Sequence, residues 1–594
     1  MPDYKAPLRD MQFVLHELLN VEDHYRHIHA YADTDRGLLD SILEASAQFA
    51  EQELAPLNRS GDEEGCRFDN GEVLTPRGFK EAYAKYVELG FGAQAEPVAH
   101  GGAGLPPSLA VASAEPMWST NRSWGMYPCL AHGAIKTLMA HAEPALAAVY
   151  VPKLVSGEWT GTMCLTEAHA GSDLGLIHTR AEPQADGSYL ITGSKIFISG
   201  GDHDMAGNIV HIVLARLPEA PAGSKGISLF VVPKFLPTSD GAVGTRNAVS
   251  CGSIEHKMGL KGSATCVMNF DGAQGFLVGQ PNKGLNAMFV FMNGARLGTA
   301  LQAVAGMESA WQGSLAYAQE RLAMRALSGT KLPAKEADPI LVHPAVRSML
   351  LTQRAFTEGG RALVYWLGLQ SDLVQQGSED ERQRADELMS LMTPIAKAFL
   401  TEVAMEVGNH GIQIYGGHGF VREWGMEQIV RDSRVACLYE GTTQIQALDL
   451  LGRKVLATQG ALLKNFTRII QQFVLTHESD AELSEFTKPL AALNREWGEL
   501  TMTIGVQAMQ NPDEVGAASV DYLYYAGYVT LAYFWALMAA TARQQLAAGT
   551  GDQAFYQAKL DTARFYFQKI LPRTRTHVAV IGSGAACLMQ PDFV

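Results

Sequence analysis

The chain has 594 residues, which is too long for a single hydrophobic core and predicts three or four domains. Hydrophobic residues make up 47% and charged residues 18% of it, a composition that excludes an intrinsically disordered protein. The 47 basic and 62 acidic side chains give a net charge of −15, which argues against nucleic acid as the main partner.

Cysteine usage and the N-terminus favour a cytoplasmic protein. The seven cysteines are scattered, with no CxxC pair and no metal-like Cys/His spacing, so we expect reduced thiols and no metal. The first residues lack the basic-then-apolar pattern of a signal peptide. The most apolar stretch, Tyr528–Ala542, is shorter than the roughly 20 residues that cross a bilayer. We therefore predict a buried helix and no membrane span, with shallow membrane contact as the alternative.

Hydrophobic periodicity divides the chain. Near the N-terminus Leu38, Leu39, Ile42 and Leu43 recur at helical spacing. From Trp159 onward, short β-prone runs alternate with Gly, Asp and Asn, which predicts an antiparallel barrel or sandwich. The β-prone runs are Trp159–Leu165, Tyr189–Thr192, Lys195–Ser199, Ile209–Ala215, Ile227–Pro233 and Cys266–Phe270. The predicted segments are an N-terminal arm (1–33), a helical domain (34–158), a β-barrel domain (159–280), a helical bundle (281–456) and an added C-terminal helical domain (457–594).

The stretch Val435–Gln446, with the sequence VACLYEGTTQIQ, places a carboxylate at a tight bend. Gly441 gives the backbone freedom for the bend, and Thr442 or Thr443 is suited to N-cap a following helix. Glu440 therefore precedes a helix. It could simply complement the helix dipole, or it could serve as a general base on a rigid platform.

Three blocks of sequence together resemble the flavin-dependent acyl-CoA dehydrogenases, and they occur in that family's order. They are Tyr439–Gln446, with the sequence YEGTTQIQ, Cys164–Gly175 (CLTEAHAGSDLG) and Gln413–Phe420 (QIYGGHGF). The resemblance implies a mainly α, α+β fold: a helical domain, an antiparallel β-barrel and a four-helix bundle. The segment after 457 resembles the extra C-terminal helical domain of one branch of the family.

The resemblance implies FAD as the cofactor and assigns residues to it. Thr166 would bond the flavin pyrimidine edge and Ser172 a phosphate. Ser199 stands where the family usually has a threonine that bonds flavin N5, and Phe197 stands where tryptophan is common. Residues of the bundle implied to contact FAD, partly that of the other subunit of a homodimer, are Arg321, Gln413, Gly416, Gly417 and Thr442.

Arg296 and Arg321 are spaced so that both could lie on one face of a single helix. By the same resemblance, Arg296 would lie near the substrate thioester. The sequence departs from the family after Arg321, where Met324–Arg325 replaces a usual Phe-Gly pair and Ala326–Asp338 resembles an insertion. The adenine contacts of that region therefore cannot be carried over.

The reaction that the resemblance implies is the α,β-dehydrogenation of an acyl-CoA to a trans-2-enoyl-CoA. Glu440 would be the base, flavin N5 the hydride acceptor and an electron-transferring flavoprotein the partner. Substrate contacts are implied for Ser172, Asn293, Arg296, Tyr439 and Gly441, and an acyl pocket near Phe289, Phe291 and Met292. The alternatives are an acyl-CoA oxidase, which uses oxygen, and a fold relative without dehydrogenase activity, such as a DNA-binding alkylation-response protein.

Overall fold

The structure, a computed structural model, describes residues 4–238, 241–549 and 551–593, so the first three residues of the predicted arm lie outside it. In chain order the α-helices are α1 (Leu8–Gln12), α2 (Val21–His27), α3 (Arg36–Phe49), α4 (Ala55–Glu64), α5 (Phe79–Glu88), α6 (Pro107–Thr120), α7 (Arg122–His141), α8 (Pro144–Val155), α9 (Gly284–Glu320), α10 (Pro344–Gln376), α11 (Glu379–Tyr415), α12 (Met426–Arg434), α13 (Thr443–Leu448), α14 (Ala461–Thr476), α15 (Ser484–Gln510), α16 (Asp513–Ala548), α17 (Gln553–Phe565), α18 (Thr574–Ile581) and α19 (Ala586–Met589).

The β-strands all fall between α4 and α9. They are β1 (Arg67–Asp69), β2 (Glu72–Leu74), β3 (Trp159–Cys164), β4 (Arg180–Pro183), β5 (Tyr189–Ser199), β6 (Asn208–Arg216), β7 (Ile227–Pro233), β8 (Phe235–Pro237), β9 (Val243–Arg246), β10 (Val249–Ile254) and β11 (Thr265–Val278). This order of helices, strands and helices confirms the predicted mainly α, α+β fold.

Two compact units make up the chain, one of residues 45–298 and one of residues 1–44 with 299–594. The boundaries fall inside α3 and inside α9. The predicted division into five segments follows the element order but not these units, and it stays a prediction.

The unit of residues 45–298 is built on a closed β-barrel. Strand β11 pairs with both β5 and β7, β7 pairs with β6, and β4 joins β6 to β5, which closes a ring of five strands. Strand β10 adds to β11 and β3 adds to β6 at the margins. The ring closes between β4 and β6 at one position, where Arg180 lies opposite Arg216.

The antiparallel arrangement that the sequence predicts holds for most pairs, with two differences. Strand β3 runs parallel to β6, with Trp159 opposite Asn208, and β4 meets β6 in one parallel pair. The runs predicted at 189–192 and 195–199 form one strand, β5. Sequence periodicity also missed β1, β2, β4, β8, β9 and β10, which are short and have at most two buried residues each, so they carry little hydrophobic signal.

Helices α4 to α8 cover the barrel through two hydrophobic cores. One core joins Phe79, Tyr86 and Trp124 of the helices to barrel residues such as Phe230 and Phe270. The other joins α7 and α8 to β3, β6, β7 and the first turns of α9. Strand β7, ISLFVVP, is buried along its whole length, as a continuous apolar run predicts.

The other unit is a helical bundle around α10, α11 and α16. Helix α16 packs closely on α11, because Gly527 has no side chain where the ring of Phe399 lies. A Cβ on Gly527 would come within 2.2 Å of that ring. The indole N–H of Trp535, also on α16, donates to the carbonyl of Ala355 on α10 at 3.0 Å. The added C-terminal segment thus shares one core with the bundle.

Two helical stretches among the described residues are long and apolar enough to cross a membrane by length and composition, Glu379–Phe420 and Asp513–Ala548. In their most apolar windows 72% and 83% of the residues are buried inside the protein, as in core helices. Tyr528–Ala542 belongs to a helix of 36 residues, so its length does not exclude a membrane span, contrary to the expectation from the sequence. The expectation that it is buried is met.

Buried charges link the N-terminal arm, the bundle and the C-terminal segment. The carboxylate of Asp10 on α1 accepts from Arg361 on α10 and from Lys559 on α17. Lys559 also donates to Glu358 at 2.9 Å, and Arg361 to Glu308 at 2.6 Å. All five side chains are buried. A buried charge without its partner is strongly destabilising, so these links make the three parts interdependent.

We predict that Lys559→Met lowers the free energy of unfolding by about 3 kcal/mol or more, because it leaves Asp10 and Glu358 buried beside one cation fewer. Urea denaturation followed by circular dichroism measures this change. Lys464→Met, which removes an exposed lysine on α14, is the matched control and should stay within about 0.5 kcal/mol. Equal effects of the two substitutions would contradict the prediction.

The Asp10 carboxylate also makes the stability of the fold depend on pH. Burial alone would raise its pKa, but the ammonium of Lys559 and the guanidinium of Arg361 bring it down from 3.8 to about 2. A depressed pKa stabilises the fold above the unfolded value, so the contribution is complete above about pH 3.8 and is lost as the pH falls toward 2. Asp10→Asn should therefore flatten the fall in stability over that interval, as measured by urea titrations at a series of pH values.

Candidate active site

The loop after β3 carries Thr166 and Ser172, the two hydroxyls predicted to hold the flavin. The carbonyl of Thr166 accepts the N–H of Ile196 at 2.9 Å, which ties the loop to strand β5. Thr166 is half-buried and Ser172 is exposed. The carboxylate of Asp173 caps the turn that follows by accepting the N–H of Gly175 at 2.9 Å. The loop therefore presents its polar groups outward from a fixed backbone.

A buried ion pair holds this loop from behind. Lys195 on β5 donates to the carboxylate of Glu167 at 2.9 Å and to the carbonyl of Leu165 at 3.1 Å. Glu167 also accepts from Thr179 Oγ1 at 2.6 Å and from the N–H groups of His178 and Thr179. Burial alone would raise the pKa of Glu167, but Lys195 and these donors bring it down to about 2. Sequence analysis gave Lys195 no role, since its partner lies 28 positions away along the chain.

The same loop brings two imidazoles together. The rings of His169 and His178 lie with their centroids 4.1 Å apart and their planes tilted by 32°, and with Glu167 they form a group of possible metal ligands among the described residues. The oxygens of Glu167 already accept four hydrogen bonds, which leaves the carboxylate little capacity for a metal. We therefore assign Glu167 to the support of the loop.

Strand β5 ends in Phe197 and Ser199. Phe197 has a left-handed backbone (φ 60°) and its side chain is 59% exposed, although it is large and apolar. A bulky residue in this conformation is strained, and such strain persists only where the surrounding structure enforces it. The half-buried hydroxyl of Ser199 lies two residues further on. An exposed aromatic ring next to hydroxyl groups suits a flat, polar-edged ring system such as a flavin.

Helix α9 carries Asn293 and Arg296 within the same unit. Asn293 is exposed and Arg296 is buried. The expected acyl pocket is only partly supported, because Phe291 is a core residue whose ring lies within 2.3 Å of where a Cβ on Gly133 would be. Phe289 is exposed and Met292 is half-buried, so these two side chains can still line a pocket.

In the other unit, Glu440 lies at a bend of two left-handed residues, with φ of 57° at Glu440 and 90° at Gly441. Atom Oε2 of Glu440 is buried. Thr442 is the N-cap of α13, since its Oγ1 accepts the N–H of Ile445 at 3.3 Å, as the sequence predicts. Helix α13 continues as π-helix over Asp449–Leu456. The bend and the cap together set the direction in which Glu440 leaves the backbone.

Side-chain hydrogen bonds hold the bend and the residues next to it. Gln446 donates to the carbonyl of Glu440 at 2.7 Å, and Lys397 of α11 donates to the carbonyl of Gly441 at 2.6 Å. Tyr439 donates its hydroxyl proton to Gln302. Thr443 donates in the same way to Glu402. Of these partners, only Gln446 lies within the motif itself, so a search of the sequence could not find the others.

Arg321, Gln413, Gly416 and Gly417, predicted to contact the FAD of the partner subunit, are all exposed in this unit. Arg321 follows the last residue of α9, so it lies at the end of the predicted helix. The turn at Gly416 ends α11 and is backed by aromatic rings. Tyr317 stacks on Tyr415 and His418 on Trp424, each pair with centroids 4.2 Å apart.

The predicted insertion Ala326–Asp338 is a closed loop organised by its last residue. The buried carboxylate of Asp338 accepts the N–H groups of Ala326, Lys331 and Leu332 at 2.7 to 3.0 Å. Arg325, the residue that departs from the family pattern, donates to Asp338 at 3.2 Å. The pKa of Asp338 falls to about 2, because these hydrogen bonds outweigh the effect of burial. The insertion is therefore an ordered element.

The predicted site residues fall into two groups, one in each unit. Residues 45–298 hold Thr166, Ser172, Phe197, Ser199, Asn293 and Arg296. The other unit holds Arg321, Gln413, Gly416, Gly417, Tyr439, Glu440, Gly441 and Thr442. Within each unit the local geometry suits the predicted chemistry, with one exposed and two half-buried hydroxyls and an aromatic ring in one and an oriented carboxylate in the other.

Four family profiles match successive segments of the chain. The profile of the acyl-CoA dehydrogenase N-terminal domain matches residues 39–158, that of the middle domain 162–273 and that of the C-terminal domain 282–456. A fourth profile, described as acetyl-CoA dehydrogenase C-terminal like, matches 466–592. The chain is 41% identical to 3-methylmercaptopropionyl-CoA dehydrogenase of Ruegeria pomeroyi, over 96% of each chain.

Solved structures show the same fold. ACDH-11 of Caenorhabditis elegans, in complex with C11-CoA, matches with a TM-score of 0.81 at 19% identity, over 100% of this chain and 96% of that one. An acyl-CoA dehydrogenase of Bacillus anthracis complexed with FAD matches with a TM-score of 0.73 at 20% identity, over 96% and 94%. The fold and the family profiles are thus those of a flavin-dependent acyl-CoA oxidoreductase. The chain belongs to the acyl-CoA dehydrogenase family, in the branch with an extra C-terminal domain, and its cofactor is FAD.

We predict that Lys195→Met lowers the FAD content of the purified protein, because Glu167 then lies buried without the ammonium that fixes the flavin loop. The ratio of flavin to protein absorbance, with FAD titrated back into the apoprotein, measures the loss. Lys225→Met, at an exposed lysine of the same unit, is the control. Full flavin content and unchanged FAD affinity in Lys195→Met would contradict the assigned role.

Proposed function

We propose that this protein oxidises an acyl-CoA to a trans-2-enoyl-CoA, with Glu440 as the base that removes the α proton. The observation that carries the proposal is the bend at Glu440, where a carboxylate extends from a strained backbone held by buried donors. Backbone strain that the surroundings enforce is typical of catalytic positions. Ala295, next to Arg296, cannot act as a base, which favours Glu440 over a base on α9.

Each residue group has a defined task in this proposal. FAD, when bound, supplies the hydride acceptor for the hydrogen that leaves Cβ. Glu440 receives the α proton, so the thioester loses one proton and one hydride and gains the double bond. The N–H of Glu440 would donate to the thioester carbonyl and stabilise the negative charge that develops there. Thr166, Ser172, Phe197 and Ser199 would hold the flavin, and Arg296 and Asn293 would contact the substrate.

The proposal extends to two partners. We infer a homodimer in which Arg321, Gln413, Gly416 and Gly417 reach the FAD of the second subunit. Their exposure and the rigid aromatic backing of the turn at Gly416 support this arrangement. We also infer that an electron-transferring flavoprotein reoxidises the flavin.

We predict that Glu440→Gln keeps a yellow, FAD-loaded protein that binds acyl-CoA but loses flavin bleaching by about 10²-fold to 10⁴-fold, the usual contribution of a general base. Anaerobic stopped-flow absorbance with a panel of acyl-CoAs measures the rate, and the panel also reports the preferred chain. Glu499→Gln, at an exposed glutamate on α15, serves as control. Bleaching by Glu440→Gln at the parent rate would remove Glu440 from the mechanism.

Reoxidation separates a dehydrogenase from an oxidase. After anaerobic reduction by acyl-CoA, we expect slow reoxidation in air and fast reoxidation by an electron-transferring flavoprotein. Rapid oxygen consumption with stoichiometric peroxide would instead identify an oxidase. Salt-sensitive binding of duplex DNA, together with no bleaching by any acyl-CoA, would favour the alkylation-response alternative.

A further inference from the structure

The bend at Glu440 and Gly441 directs two consecutive backbone carbonyls toward the protein interior. The carbonyl of Glu440 points to Gln446 on α13 and that of Gly441 points to Lys397 on α11. Both side chains are fully buried. The residue from which the carboxylate extends is therefore held by a donor on its own carbonyl and by another on the carbonyl that follows.

Lys397 is a costly residue at this position. An ammonium taken out of water loses several kcal/mol of hydration. Its neighbours include Cys437, whose thiol pKa is raised by burial and by Glu402, with Lys397 opposing the rise. The hydrogen bond of 2.6 Å to the carbonyl of Gly441 directs this buried charge at the bend.

Gly441 and Gln446 are matched in shape. A Cβ on Gly441 would lie 2.7 Å from Nε2 of Gln446, so only glycine leaves room for the amide to reach the carbonyl of Glu440. The left-handed φ of Gly441 also favours glycine. The hydrogen bond from Gln446 on α13 to the Glu440 carbonyl therefore requires a glycine at position 441.

We propose that Lys397, together with Gln446, is a positioning residue for the base: it orients the Glu440–Gly441 bend so that the carboxylate meets the α proton. This inference rests on the proposed role of Glu440. Because a charged donor makes a shorter and stronger hydrogen bond than a neutral one, Lys397 provides the stiffer of the two restraints. A displacement of about 1 Å at the reacting group can cost about 10²-fold in rate, so a loose bend should slow catalysis more than it weakens binding.

The test is Lys397→Met, compared with Lys397→Arg and Gln446→Met, each studied as the FAD-loaded protein. We expect Lys397→Met to keep its flavin and its acyl-CoA affinity within a few-fold. The limiting rate of flavin bleaching, normalised to flavin content, should fall by about 10-fold to 100-fold. The limiting bleaching rate of Gln446→Met should fall less than that of Lys397→Met. Lys397→Arg should recover part of the rate because it keeps a cationic donor. Crystal structures of the variants should show changed φ and ψ angles at residues 440 and 441.

Lys559→Met is the matched control, since Lys559 is an equally buried lysine of the same unit that pairs with Asp10 and Glu358. It should lower the unfolding midpoint and leave the limiting bleaching rate of the native protein unchanged. A parent-like limiting rate in Lys397→Met, with the bend unchanged, would overturn the inference. If Lys397→Met does not fold, the same two measurements on Gln446→Met decide it.

The two proposals fail differently. A parent protein that no acyl-CoA bleaches would refute the proposed function, whereas the bend in the variant crystal structures still tests the positioning role. A bleached parent with an unchanged bend and rate in both variants would refute only the positioning role.

Discussion

The candidate site depends on a left-handed turn at a residue that has a side chain. Glu440 adopts φ of 57°, a conformation that costs a non-glycine residue about 1 kcal/mol or more. The turn persists because its carbonyls bond to Lys397 and Gln446 and because Thr442 caps the helix that follows. The strained backbone and the hydrogen bonds that hold it therefore fix the direction of the Glu440 side chain, whereas a glutamate on a surface loop would be flexible.

The loop after β3 in the other unit, which is predicted to hold the flavin, is fixed in the same way. There a buried lysine, Lys195, donates to the carbonyl of Leu165 and to Glu167 beneath a loop that exposes Ser172. In both places a buried lysine donates a hydrogen bond to a main-chain carbonyl of the irregular segment. The insertion after Arg321 reverses the charges, since the carboxylate of Asp338 gathers three backbone N–H groups. Irregular backbone is thus fixed by single charged side chains that take the place of regular secondary structure.

Sequence patterns predicted what depends on local order. The N-cap at Thr442, the continuous strand β7 and the helix that carries Arg296 are consequences of residues close together in the chain. The parallel pairing of β3 with β6 and the donors Lys397 and Lys195 depend on segments that only folding brings together. Phe291 shows the same limit, because an aromatic residue on a helix has the same pattern whether it lines a pocket or fills a core.

The added C-terminal segment packs against α11, the helix of the bundle that carries Lys397. Helix α11 carries Lys397 and, two residues later, Phe399, whose ring occupies the notch left by Gly527 on α16. Four residues beyond Phe399, Val403 is buried as well, so the buried face of α11 continues along the helix. Because a close-packed interior transmits displacement, a shift of α16 would move α11 and with it the ammonium that holds Gly441. Shared packing with α11 thus gives this segment a mechanical link to the Glu440–Gly441 bend, in addition to the stability it contributes through Lys559.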